Sequence, residues 1–256
     1  MSEATAHPPS QTRNRTWATA LNRGVYRLSR DWFAWFLLAS ALFVGLPWLA
    51  PALMRLGWIG AGEMIYSAYS FLCHQLPERS FFLFGSRMMY TIQEVQAAWQ
   101  PSWDPLVLRQ FIGDGDLGFK VAWSDRMASM YTSIPLAALA WWPLRKRLRP
   151  LPLWAFALLA LPMAVDGLTH MASDLAGIGQ GFRDANLWLA ALTDYRFPAT
   201  FYAGDALGSF NSWMRLITGA LFGLGMVLTT FPHIHLGFED AARQIEGKFA
   251  RAGRKL

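Results

Sequence analysis

Residues 32–54 carry no charged side chain and are bounded by Asp31 and Arg55. About 20 apolar residues in a row suffice for a helix to cross the hydrocarbon core of a bilayer. This run therefore points away from ordinary water-soluble folds. Composition agrees: 54% of the residues are hydrophobic and 16% are charged, where soluble domains carry roughly 25% charged residues. Tryptophans gather near the ends of apolar runs (Trp32, Trp35, Trp48, Trp58, Trp141, Trp142), as aromatic belts do at membrane interfaces. The first thirty residues lack the apolar stretch of a cleavable signal peptide.

Further runs predict an all-α integral membrane protein. Four transmembrane helices are expected at 32–54, 121–143, 151–173 and 213–236, in a membrane domain over 32–236 with long loops at 55–120 and 174–212. Within 57–72, Gly57, Gly60, Gly62 and Glu63 interrupt the apolar pattern while Tyr66, Tyr69 and Cys73 share a helical face. That reads as a re-entrant or interfacial helix. Residues 1–31 read as a basic tail, disordered in its first half, with a short interfacial helix over 17–28. Residues 237–256 read as a basic amphipathic helix on the membrane surface, Phe238, Ile245 and Phe249 opposing Arg243, Lys248 and Arg251. Lysine and arginine concentrate in both tails and in the 145–149 run, while acids concentrate in the long loops. The positive-inside rule then predicts a multi-pass plasma-membrane protein with both termini cytoplasmic and both long loops outside. The net charge of +6 is in this reading a topology signal. The expected partners are the lipid bilayer and other membrane subunits, not nucleic acid.

Polar residues converge at the outer end of this bundle. The segment 71–82, FLCHQLPERSFF, supplies Cys73, His74, Gln75 and Arg79; the second span starts with Asp125 and Arg126, after Lys120. Asp166 and His170 end the third span, spaced i, i+4 on one face. Arg215 starts the fourth, where Gly219 and Gly223 form a G-x-x-x-G pair that lets helix backbones approach. Ionisable groups at membrane depth are costly and are retained for pairing or for function. Three functions suit the set. His74, Asp166 and His170 are candidate ligands for a divalent metal ion. The arginines suit an anionic small molecule, with a histidine as acid or base. A lipid-modifying or redox-cofactor enzyme is the third. Against all three stands a structural reading, in which Asp166 pairs with Arg126 or Arg215, and Glu78 with Arg79 or Lys120, only to fix helix register. A non-catalytic accessory subunit of a larger membrane complex is the alternative function. No cofactor is identified. One cysteine excludes an internal disulfide, and Cys73 reads best as a small buried hydrophobe.

Four blocks, CHQLPERSFF (73–82), LGFKVAWSDRMASMY (117–131), DGLTH (166–170) and MRLITGALFG (214–223), resemble the signature blocks of the domain of unknown function 2085 family of multi-pass membrane proteins. The resemblance implies a polytopic membrane protein with no established activity. It marks Cys73, His74, Gln75, Arg79, Arg126, Tyr131, Asp166, Gly167, Arg215, Thr218 and Gly219 as positions that match family motifs. The chain departs from that pattern at Ser124, where relatives carry a second cysteine, at Met127, where they carry aspartate, and at His170, where they carry glutamine. The missing cysteine weakens both a thiol–disulfide mechanism and a two-thiolate metal site. The predicted orientation is checked by placing a cysteine beside Arg145 in a Cys73→Ala background. It is expected to stay unlabelled by an impermeant maleimide added to intact cells, and labelling there would invert the topology.

Overall fold

The computed structural model describes residues 9–256, and side chains from Thr16 onward. The first eight residues of the expected disordered tail lie outside the described residues. From Pro9 the chain is helical rather than disordered: α1 runs Pro9–Arg30 and α2 Trp32–Arg55. There follow α3 (Ile59–Tyr69), a 3-10 turn (Pro77–Arg79), β1 (Ser80–Leu83), α4 (Ile92–Ala98), α5 (Pro105–Leu108), β2 (Gly113–Asp114) and β3 (Gly118–Ser124). The remainder is helical: α6 (Asp125–Leu144), α7 (Leu153–Asp174), the short α8 (Phe182–Ala185), α9 (Leu187–Leu192) and α10 (Ala199–Tyr202), and α11 (Phe210–Arg251).

Among the described residues, three helices are long and apolar enough to cross a membrane: Trp32–Arg55, Leu153–Asp174 and Phe210–Arg251. The expected second span is not one of them. Its first residues, 121–124, belong to β3, and α6 carries Asp125, Arg126, Ser129, Thr132 and Ser133 on its 20 residues. α3 has 11 residues, which at about 1.5 Å each reach only half of a hydrocarbon core of about 30 Å. α11 runs unbroken for 42 residues through Pro232 and Gly237, so the fourth span and the amphipathic tail are one helix.

The all-α expectation is corrected by a three-stranded antiparallel sheet in the order β1-β3-β2. Ser80 pairs with Ser124, Phe82 with Lys120 and Leu83 with Phe119; Gly113 pairs with Phe119. The β2–β3 turn is set by Asp114, whose Oδ1 accepts from the backbone N–H groups of Asp116 (2.8 Å) and Leu117 (2.7 Å), an Asx turn. Gly118 closes it at φ +77°, and a Cβ there would lie 2.5 Å from the Gly85 nitrogen, so only glycine fits. β3 is buried on both faces: Val121, Ala122 and Trp123 are fully covered. Trp123 meets Tyr69, Phe43 and Tyr131 at ring-centroid distances of 4.9, 5.5 and 4.8 Å. Around them Met54, Tyr66, Cys73, Phe81 and Ala128 form one apolar cluster.

The chain forms two compact units, Met1–Ala39 with Thr230–Leu256, and Ser40–Thr229. In the first, Trp32 stacks on Phe238 at 5.5 Å and Tyr26 donates to Glu246 Oε1 at 2.9 Å. The second holds the sheet and every candidate site residue. There α11 packs against α6 through small residues. A Cβ on Gly219 would lie 3.0 Å from the Arg126 carbonyl; one on Gly223 would meet Ser133 Oγ and lie 3.0 Å from the Met130 carbonyl. Gly223→Val is therefore expected to destabilise the protein by about 1–3 kcal/mol through overpacking. Gly45→Val, which meets nothing within 4 Å, serves as the control. Thermal unfolding in detergent reads both.

Candidate functional site

The turn after α3 aims the first group of polar residues. Gln75 adopts φ +54°, a left-handed conformation that a non-glycine residue holds only when its surroundings over-determine it. They do so here. Its side-chain Nε2 donates to the carbonyls of Tyr66 (2.9 Å) and Ala122 (3.3 Å), and its own carbonyl accepts from Lys120 Nζ (2.7 Å). Lys120 is fully buried and donates also to the Arg109 carbonyl at 2.7 Å. Burial lowers its pKa to about 7, with Glu78 working in the opposite direction. Leu76 N–H donates to His74 Nδ1 at 3.3 Å, so the neutral ring carries its proton on Nε2. Cys73 is a buried free thiol that accepts from the Ser124 backbone N–H at 3.3 Å. The position where the resembled family has a second cysteine thus lies directly against the first.

Pro77 starts the 3-10 turn that carries Glu78 and Arg79 inward. Arg79 binds Asp174 with both terminal nitrogens (2.7 Å each) and Asp205 Oδ2 with Nε (2.7 Å). Asp205 Oδ1 accepts from Arg215 Nη1 at 2.6 Å, and Arg215 Nε contacts both oxygens of Asp125 at 2.7 and 2.9 Å. A continuous relay results: Asp174, Arg79, Asp205, Arg215, Asp125. Burial opposes the charge on Arg79, but Asp205 and Asp174 outweigh it and raise its pKa well above the usual value. Burial likewise opposes ionisation of Asp205, yet the two guanidiniums hold its carboxyl far below the usual range.

A second group centres on Asp166. Its Oδ2 accepts from Arg126 Nη2 at 2.6 Å and its Oδ1 from Arg183 Nη2 at 2.8 Å. Arg183 continues to Thr169 Oγ1 (2.7 Å) and Asn211 Oδ1. Asn211 and Asn186 then tie the loop down by donating to the Arg183 carbonyl and to the carbonyls of Gly204 and Tyr202 respectively. Both ends of the Asp166 carboxylate are thereby committed to arginines. His170 Nε2 lies 3.9 Å from Asp166 Oδ1, beyond a hydrogen bond. Among the described residues no group of three or more histidine, cysteine, aspartate or glutamate side chains is placed to hold a metal ion. The expected trio His74, Asp166 and His170 therefore gains no support as a metal site.

The structure instead brings His74, Arg79, Arg126, His170 and Arg215 onto the wall of one cavity of about 300 Å³, with Asp174 as the one carboxylate on it. His74 is exposed at its rim. Most of the expected residues meet here: Asp125 and Asp166 sit behind the guanidiniums, whereas Cys73 and Gln75 shape the turn. Sequence reasoning missed Asp174, Arg183 and Asp205. Asp174 was visible in principle, since Asp166, His170 and Asp174 recur every fourth residue on α7. Arg183 and Asp205 lie in a polar loop, where no periodicity marks a charge as buried.

The fold and comparisons define a membrane protein with apolar helices. A family described as "Predicted membrane protein (DUF2085)" matches residues 117–229, and this bears out the resemblance seen in the sequence for that segment. It contains Asp125, Arg126, Asp166, His170, Arg183, Asp205 and Arg215, and leaves the CHQLPERSFF motif outside. An uncharacterised protein of Methanocaldococcus jannaschii is 26% identical over 156 residues, 58% of this chain and 76% of that protein. No solved structure matches.

Asp205 is the joint of the network, because it links two buried arginines. Asp205→Asn leaves both guanidiniums undercompensated, and breaking a buried pair costs about 3–5 kcal/mol. A loss of that size is expected in unfolding measurements on detergent-purified protein. A loss below about 1 kcal/mol, the worth of an exposed pair, would show that the relay is solvated.

Proposed function

We propose that the chain binds a small anion in the cavity between α6, α7 and the 71–82 motif, on the outer side of a plasma membrane that it spans four times, the 20-residue α6 making the crossing beyond the three apolar helices, with both termini cytoplasmic. One observation carries this reading. Arg126 Nε and both ring nitrogens of His170 are buried without a hydrogen-bond partner, and both residues line the cavity. A buried donor left unpaired costs about 1–3 kcal/mol, and an anion's oxygens would supply the missing acceptors. The wall's formal charge has the same sense, with three arginines against one aspartate. The size suits a small ligand, at the lower end of the roughly 300–1,000 Å³ typical of ligand pockets. Every side-chain nitrogen of Arg79 is engaged with the relay carboxylates, while Arg215 commits Nε and Nη1 to them and Nη2 to the Asp205 backbone carbonyl. They supply field, while Arg126 supplies free hydrogen bonds.

The divalent-metal alternative is the weaker one, since the Asp166 oxygens already serve two arginines. Calorimetry with sulfate on purified protein tests the proposal. Saturable binding is expected in the wild type. Arg126→Gln, which removes a charged donor worth about 1.5–3 kcal/mol, is expected to weaken it at least about tenfold. Wild-type protein that binds neither sulfate nor a short carboxylate would refute the assignment.

A further inference from the structure

A second cavity, of about 130 Å³, lies on the other side of the Arg79–Asp205 pair. Arg79 lines the first cavity and Asp205 the second. Glu78 also lines the second cavity. It is 2% exposed, and neither of its carboxyl oxygens has a hydrogen-bond partner. Its Oε1 lies 3.8 Å from Arg79 Nε. That nitrogen already donates to Asp205. A buried carboxylate without partners is unfavourable, whereas the protonated acid is not.

We propose that Glu78 is a proton-binding site whose proton is coupled, through Arg79, to anion binding in the adjoining cavity. This rests on the anion reading above and assigns its regulation. The charged groups around Glu78 are few. Arg79 comes from its own turn, Asp205 from the loop after α10, Lys120 from β3, and Asp184 from α8. α4 contributes Thr91, Ile92 and Gln93 to the wall, while its Glu94 is held by Arg87 and by its capping bonds to Thr91. Asp205 is saturated by two arginines, and Asp184 Oδ2 accepts from the Gly181 N–H at 2.7 Å. Glu78 is thus the one carboxyl on this wall with both oxygens uncommitted. A metal ion is a poor occupant, because no cluster of three ligating side chains exists among the described residues. The exposed residues Gln93 and Ala203 border the cavity and give a proton a route from solvent.

Burial raises the Glu78 carboxyl to about 7, Arg79 lowering it and Asp205 raising it further. The sign of the coupling follows from charge. Ionised Glu78 places a negative charge beside Arg79 and weakens the positive field of the first cavity. Protonation removes that charge, so an anion binds more tightly at lower pH and brings a proton with it. Linkage makes the effect reciprocal.

The test uses the purified full chain and sulfate, whose charge is constant near neutrality. Infrared difference spectra are expected to show a protonated-carboxyl band that titrates near neutral pH and is missing in Glu78→Gln. Sulfate affinity is expected to fall at least about fivefold, the lower end of typical coupling, from about pH 6 to about pH 8. The profile should flatten in Glu78→Gln, leaving only the smaller contribution of Lys120, and steepen again in Glu78→Asp, which keeps a carboxyl. An unchanged profile in Glu78→Gln, or the absence of a titrating band, overturns the proposal. If sulfate fails to bind at every pH, the anion reading and the coupling both fall, and the band alone then decides whether Glu78 holds a proton.

Discussion

The Arg79–Asp205–Arg215 bridge is the constraint on which the rest of the second unit depends. Each ion withdrawn from water costs several kcal/mol even after relaxation, and here Arg79, Asp205, Arg215 and Asp125 are all buried. They can be accommodated only if the partners arrive together. Arg79 comes from the 3-10 turn, Asp205 from the loop after α10, Arg215 from α11, Asp125 from the start of α6 and Asp174 from the end of α7. Five distant parts of the chain are thus joined by charge rather than by apolar contact. The sheet makes this feasible. β3 ends at Ser124, so the strand that pairs with β1 delivers Asp125 and Arg126 next to the turn carrying Arg79. A helix starting earlier, as the hydropathy of 121–123 suggests, would rotate those side chains elsewhere.

What the sequence made legible follows from which forces leave periodic traces. Apolar runs long enough to span a bilayer are visible because they need no partner to be recognised, and α2, α7 and the first part of α11 lie where expected. The pairing of Asp166 with Arg126 was also within reach, because both sit on helices at compatible depth. β3 was not legible. It is buried on both faces, so GFKVAWS shows no alternation, and its continuity with α6 mimics one long apolar segment. Lys120 added to the disguise: it reads as a charge at a membrane boundary, yet it is a buried residue capping two carbonyls. The 42-residue α11 was divided in two because hydropathy changes near Gly237 while helical geometry does not.

The least legible residues are those of the loop over 174–209. Arg183 and Asp205 have the composition of solvated turns, as does Asn211 just beyond the loop at the start of α11, and only tertiary contacts reveal them as buried. Their contacts also fasten a loop rich in glycine and aspartate. Asn186 at φ +43° and Asn211 bind backbone carbonyls on both sides of it, and Arg183 fastens it to α7 through Asp166 and Thr169.

Charge bookkeeping then separates support from function. Arg79, Arg126, Arg183 and Arg215 are matched by Asp125, Asp166, Asp174 and Asp205 in direct ion pairs. Such a balanced set would suffice to fix helix register, and nothing in it calls for a ligand. The residues left over are what distinguish this site from a purely structural one. On one side of the Arg79–Asp205 pair, Arg126 Nε lacks an acceptor and His170 lacks a hydrogen-bond partner; on the other, Glu78 lacks a donor. These deficits cannot cancel each other, because the pair stands between the two cavities. An anion meets the first and a proton meets the second, and the two have opposite charge. Protonating Glu78 removes one negative charge from the buried network and so offsets part of the charge an anion brings, which is the electrostatic reason for the two sites to act together.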